Sequence, residues 1–62
     1  MIPNIGDTVK AKTIEGETVT GRVVAAVHGR ERTVIRILTN GRTVNANAKD
    51  CEVTQQTWES TL

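Results

Sequence analysis

The sequence has very few of the residues that usually build or cross-link a small domain. Its 62 residues include no Phe, no Tyr, one Trp, one Cys and one His. Aromatic side chains normally supply the largest buried areas of a core, and a domain near this size buries only about 60% of the surface that its unfolded chain exposes. One cysteine cannot form an intrachain disulfide. We therefore expect a thin core that depends on association for its stability.

The same scarcity excludes several classes of function. His28 has no second His, Cys or paired acid at ligand spacing, so we expect a solvated side chain and no metal site. No acid pair, activated serine or phosphate-binding glycine loop is visible, and Cys51 has no base near it in the sequence. We predict a small apolar role for Cys51, no catalytic residues and no cofactor. A site assembled between subunits is the one route to catalysis left open.

The charge balance says little about a partner. The formal net charge is +1, from eight basic and seven acidic residues, so non-specific attraction to nucleic acids by net charge is not indicated. No apolar run is long enough to span a membrane, and the first residues lack the basic and apolar segments of a signal peptide. We expect a cytoplasmic protein with no membrane partner.

Alternating apolar and polar residues predict strands at 8–13, 33–39 and 51–54 and one long strand at 17–27. A fifth strand follows the Asn40-Gly41 turn and pairs with 33–39. A glycine-bearing loop at 13–17 joins the first two strands, and one helical turn is expected at 48–50. Ile5 is predicted to lie under the core. The folded domain is expected at 5–54 and a polar C-terminal tail at 55–62.

Two turns define the predicted pairing of the strands. Asn40-Gly41 is a strong hairpin signal, because a type I′ turn needs positive φ at both central positions. It pairs Thr39 with Arg42, and a five-residue loop at 28–32 pairs Val27 with Thr33 in the preceding hairpin. The inward pairs are then Ile37–Val44, Ile35–Ala46, Ala25–Ile35 and Val23–Ile37. The outward pairs include Leu38–Thr43, Arg36–Asn45, Val34–Asn47, Ala26–Val34 and Arg22–Leu38.

The outward positions are more apolar than a solvated face requires, which indicates a surface for self-association. The competing interpretation is that small sheets expose a few β-branched residues for strand propensity alone. In the tail, an isolated Trp is expected to cover an open end of the domain or a neighbour. The predicted interface residues are Val24, Ala26, Val34, Leu38 and Trp58.

The order of these elements resembles the small five-stranded SH3-like β-barrel: one long strand that can bend at Gly21, a tight hairpin, and a helical turn before the last strand. Three short motifs are similar to those of the KOW and Tudor-like group, over residues 5–53. They are Gly6-Asp7-Thr8-Val9, Gly21-Arg22-Val23 and Asn40-Gly41-Arg42. The resemblance implies an all-β barrel and supports fold better than function.

Different SH3-like relatives imply different functions. KOW-type barrels imply RNA or ribosomal partners, and basic side chains here could hold phosphates. The competing interpretation is an ordinary solvated surface, because single-strand binders generally stack bases on aromatic residues. Tudor-type readers need an aromatic cage that one Trp cannot build. The candidate nucleic-acid residues are Lys10, Lys12, Arg22, Arg30, Arg32 and Arg36.

The plasmid-borne type of dihydrofolate reductase is a third resemblance, since it is an oligomeric SH3-like barrel whose shared pore is lined by Val-Gln-Ile-Tyr. Here that segment reads Val44-Asn45-Ala46-Asn47, so the activity does not carry over, although oligomerisation can. Sm-like rings also assemble, but the helix that precedes their first strand is missing. The sequence thus favours a non-catalytic interaction or assembly module, as a homo-oligomer or with a protein partner. RNA or DNA binding is the alternative.

Overall fold

The computed structural model describes residues 2–56, so Trp58 and most of the predicted tail lie outside the described part. The fold is all-β, as the alternation predicts, with five strands and one short 3-10 helix, Ala48–Asp50. The strands are β1 (Thr8–Lys12), β2 (Thr18–His28), β3 (Thr33–Thr39), β4 (Arg42–Asn47) and β5 (Cys51–Gln55).

All five strands form one antiparallel sheet in the order β4-β3-β2-β1-β5. The long strand β2 holds the sheet together, because its first half pairs with β1 and its second half with β3. Arg22 has a partner on both sides, Thr8 in β1 and Leu38 in β3. The sheet does not close into a barrel, since β4 and β5 are edge strands that do not pair with each other.

The β3–β4 hairpin has the predicted turn and the predicted register. Asn40 and Gly41 have φ values of 50° and 78°, the positive pair that a type I′ turn requires. Every Cα pair from Thr39–Arg42 to Val34–Asn47 is the expected one. Ile35, Ile37 and Ala46 are consequently fully buried.

The β2–β3 register is only partly as predicted, because β2 contains a bulge at Val24. Val23 pairs with Ile37 as expected, but the next partner of β3 is Ala25, which lies opposite Arg36. One extra residue in β2 shifts all later pairs by one position. The predicted pairs Ala25–Ile35, Ala26–Val34 and Val27–Thr33 are therefore wrong. The observed pairs are Ala26–Ile35, Val27–Val34 and His28–Thr33, so the connecting loop has four residues, 29–32.

The core is built from small aliphatic side chains on one face of the sheet. Its largest fully buried side chains are two isoleucines and two valines, which is the thin core expected without aromatics. Cys51 and Val53 pack against it, so their predicted inward orientation is confirmed. The buried core residues are Val9, Ala11, Val23, Ile35, Ile37, Ala46 and Ala48.

The segment before β1 departs from expectation at Ile5. Its side chain is 65% exposed rather than tucked under the core. The chain turns sharply here: the Asp7 carboxylate accepts a hydrogen bond from the Asn4 amide at 2.9 Å, and the Gly6 amide donates to the Val23 carbonyl at 2.8 Å. These bonds fix the backbone of the turn and point Ile5 outward. The Gly-Asp motif therefore has a structural role in this chain.

The loop between β1 and β2 covers part of the exposed edge of β4. The Ile14 amide donates to the Asn45 carbonyl at 3.0 Å, and the Arg42 guanidinium lies 3.1 Å from the Glu17 carboxylate. Thr13 braces the loop by accepting at Oγ1 from the Glu17 amide at 3.1 Å. An uncovered edge strand is a template for unwanted pairing. The loop therefore protects part of the β4 edge.

Candidate interaction surface

The side of the sheet opposite the core, which we call the outer face, carries most of the candidate residues. Side chains alternate between the two faces along each strand, so residues between buried positions of β1 and β3 point to the outer face. Lys10 lies between buried Val9 and Ala11, and Arg36 lies between buried Ile35 and Ile37. No described residue puts an aromatic side chain on this face.

The bulge concentrates apolar side chains on the outer face. Val24 is the extra residue, and Ala25 follows it opposite Arg36, so two successive small apolar residues lie outward. Beyond the bulge the parity of β2 is reversed, and Val27 also points outward, paired with Val34. Val24, Leu38 and Val27 are 38%, 43% and 61% exposed. We call the resulting cluster the apolar patch: Val24, Ala25, Val27, Val34 and Leu38.

The patch differs from the predicted interface in two members. Ala26 pairs with Ile35 and packs against the core, so its side chain is not available on the outer face. Ala25 and Val27 take its place. The one sequence feature that could have indicated this change is the unbroken apolar run from Val23 to Val27. A strand that stops alternating can accommodate a bulge. Trp58 lies outside the described residues.

Four of the six candidate basic residues share the outer face with the patch. Lys10 and Lys12 lie on β1, Arg22 on β2 and Arg36 on β3, and all four are exposed. Among the strand residues on this face the single acid is Glu52, the cross-strand neighbour of Lys10. The face is thus strongly basic although the whole chain carries a formal charge of only +1.

The other two basic candidates lie away from the face. Arg30 and Arg32 are exposed in the 29–32 loop, with Glu31 between them. This loop is closed by the Gly29 amide, which donates to the Arg32 carbonyl at 2.8 Å. His28, next to the loop, has Nδ1 at 3.2 Å from the Thr33 hydroxyl. The loop arginines therefore lie at one end of the sheet, apart from Lys10, Lys12, Arg22 and Arg36, which we call the basic row.

No family model, curated protein or solved structure matches this chain. Its function is therefore inferred from the geometry and chemistry of the surface.

The described residues form no pocket, and no three of their His, Cys, Asp or Glu side chains lie together in a way that could hold a metal ion. Within residues 2–56 there is also no helix with the length and hydrophobicity needed to cross a membrane.

Cys51 has the environment of a structural thiol. Burial raises the pKa of the Cys51 thiol above its usual value, and the neighbouring Asp50 carboxylate adds to that shift. The thiol also lies 3.4 Å from the Asn47 carbonyl, which can accept its weak hydrogen bond. A raised pKa reduces the fraction of reactive thiolate at neutral pH. These surroundings favour a packing role for Cys51 over a nucleophilic one.

Proposed function

We propose that this chain is a non-catalytic assembly module that forms a homo-oligomer through its outer face. The observation that carries the proposal is the apolar patch, in which Val24, Val27 and Leu38 are exposed on two strands that pair with each other. Covering apolar surface contributes about 25 cal/mol per Å². A second copy supplies that cover.

The composition of the core supports the same proposal. Among residues 2–56, the buried core contains nothing larger than isoleucine, while two valines and a leucine on the outer face stay exposed. A domain of this size is marginal when folded alone, and small domains commonly add stability by association. Cover for the apolar patch would therefore add to the limited burial inside each protomer. We also propose that the chain is related to SH3-like barrels, among which oligomers are known. The grounds are the three short motifs and the long strand β2, which pairs with both β1 and β3.

A double substitution in the apolar patch tests the proposal. Val24→Lys with Leu38→Lys puts two charges where the second copy would pack, so we expect the oligomer to dissociate to the mass of one chain. The matched control is Ile2→Lys with Ile14→Lys, which adds the same charge at exposed apolar positions outside the strands and should keep the wild-type mass. Light scattering on a sizing column measures both. An unchanged mass for the Val24/Leu38 variant, with wild type associated, would contradict the assignment of the interface.

Nucleic-acid binding is a second candidate, favoured by the position of Lys10, Lys12, Arg22 and Arg36 on one face with one acid. We expect such binding to weaken with salt, with a slope in log K of about −0.7 for each phosphate contacted on a single strand. Arg36→Gln should reduce that slope by about 0.7. Arg42→Gln is the control, because this arginine is already paired with Glu17. A salt-independent affinity for an oligonucleotide would rule this candidate out.

A further inference from the structure

Two arginines lie within the surface through which copies of this chain are proposed to associate. Arg36 lies between Val34 and Leu38 along β3 and opposite Ala25 in β2. Arg22 is the cross-strand neighbour of Leu38. Both side chains are exposed, and neither guanidinium makes a hydrogen bond or ion pair with any residue from 2 to 56. The apolar patch is thus interleaved with unpaired positive charge.

An interface large enough to be stable must include Arg22 and Arg36. A specific protein interface buries about 800 Å² on each partner, whereas an exposed apolar patch of this kind offers on the order of a few hundred Å². Association must therefore cover neighbouring positions of β2 and β3 as well. Those positions include Arg22 and Arg36, because they alternate with the apolar residues on the same two strands.

Among residues 2–56, the acid on the outer face is poorly placed to neutralise these arginines. In a two-fold contact the same surface of both copies meets itself, so two copies bring four guanidinium groups into one interface. Glu52, the acid on the outer face, lies on β5, separated from β2 by β1. Adjacent strands are about 4.8 Å apart, so β5 is about 10 Å from β2, close to the screening distance at 0.1 M salt. Like charges in the interface therefore oppose association.

We propose that Arg22 and Arg36 of two subunits form an anion site between them, and that a phosphate-type dianion bound there promotes assembly. The inference rests on the proposed function, since it requires association through the outer face. Guanidinium groups bind phosphate oxygens through paired, charge-assisted hydrogen bonds. A dianion that binds only the assembled form shifts the equilibrium toward it by mass action. Without the anion, the arginines limit self-association.

The test measures the dissociation constant of self-association by sedimentation velocity, with NaCl keeping the ionic strength constant. The protein is compared without phosphate and with about 10 mM sodium phosphate, a concentration at which the general salting-out effect of phosphate is small. We expect phosphate to tighten association of the wild type about tenfold or more. Arg36→Gln should associate more tightly than wild type without phosphate and respond to it less than about twofold. Arg30→Gln, a charge change in the 29–32 loop, should behave as wild type.

The other outcomes separate this inference from the proposed function. If wild type associates, the Val24/Leu38 variant does not, and phosphate has no effect, the anion site is wrong and the assembly module stands. The anion site is equally wrong if Arg36→Gln weakens association, or if wild type stays fully associated at nanomolar concentration without phosphate. If wild type and Arg36→Gln are both monomers with and without phosphate, the proposed function and the anion site fail together.

Discussion

Gly21→Ala is expected to destabilise the protein severely. An added Cβ at this position would collide with the Leu38 carbonyl oxygen and would lie 2.8 Å from Ile37 Cγ2. The Leu38 carbonyl belongs to backbone that is held in the β2–β3 ladder, and the Ile37 side chain is fully buried. Neither group can move away without a large cost in free energy. We expect a loss of at least about 3 kcal/mol, the upper end of overpacking effects. A chain of this length has roughly 3 to 9 kcal/mol in total.

Gly16→Ala is the comparison that isolates the collision. Gly16 has φ +95° but nothing within 4 Å of an added Cβ, so its substitution strains the backbone without a clash. We expect a loss of about 1 to 2 kcal/mol there, smaller than at Gly21. Urea unfolding followed by circular dichroism measures both. Equal losses for the two variants would show that the close approach of β3 to Gly21 is not important for stability.

Ile37→Ala should be the most damaging truncation in the core, with Ile35→Ala close to it. Ile37 is completely buried, and it has a cross-strand partner on each side of β3, Val23 in β2 and Val44 in β4. Removing a buried isoleucine typically costs about 2 to 5 kcal/mol. That range is a large part of the roughly 3 to 9 kcal/mol expected for a chain of this length. Urea unfolding should therefore show a clearly lower midpoint for this variant than for the wild type.

Leu38→Ala is the matched control for Ile37→Ala, because the two side chains are isomers on adjacent residues that point to opposite faces. Leu38 is partly exposed on the outer face, so its truncation leaves no cavity in the core. We expect any loss of stability in this variant to depend on protein concentration, because it acts through association. The loss for Ile37→Ala should remain at every concentration. The same loss in both variants would contradict the assignment of inner and outer faces.

The β3–β4 hairpin could be predicted from the sequence because the information is local. Asn40-Gly41 specifies both the turn type and the loop length, and a two-residue loop leaves one register. Strict alternation in β3 then distinguishes the faces, since Arg36 separates Ile35 from Ile37. All pairs of this hairpin are as predicted. The 3-10 helix at Ala48–Asp50 and the inward Cys51 follow from similarly local patterns.

The bulge in β2 could not be predicted because both possible registers bury apolar side chains. From Val23 to Val27 every residue is apolar, so a shift by one position exchanges Ala25 for Ala26 without placing a charge in the core. Tertiary packing decides between them. The exposed position of Ile5 was also beyond local reasoning, since it follows from hydrogen bonds between the first turn and Val23, which is distant in sequence.

The orientation of the side chains on the outer face could be predicted only in part. Alternation correctly placed Val24 and Leu38 outward, together with the four basic strand residues. It could not identify Ala25 and Val27, because their orientation depends on the bulge. The pairing of Arg22 with Leu38 is as predicted, whereas the position of Ala25 opposite Arg36 depends on the bulge and was not predicted.

The most direct test of the central claim is the solution mass of the wild-type protein, measured by light scattering on a sizing column at low and high salt. The structure leads us to expect an oligomer of defined mass, with association stronger at high salt because like charges on the outer face are screened. A monomer of 6.8 kDa at both salts and at millimolar concentration would contradict self-association through the apolar patch. The basic row would then become the principal feature of the outer face.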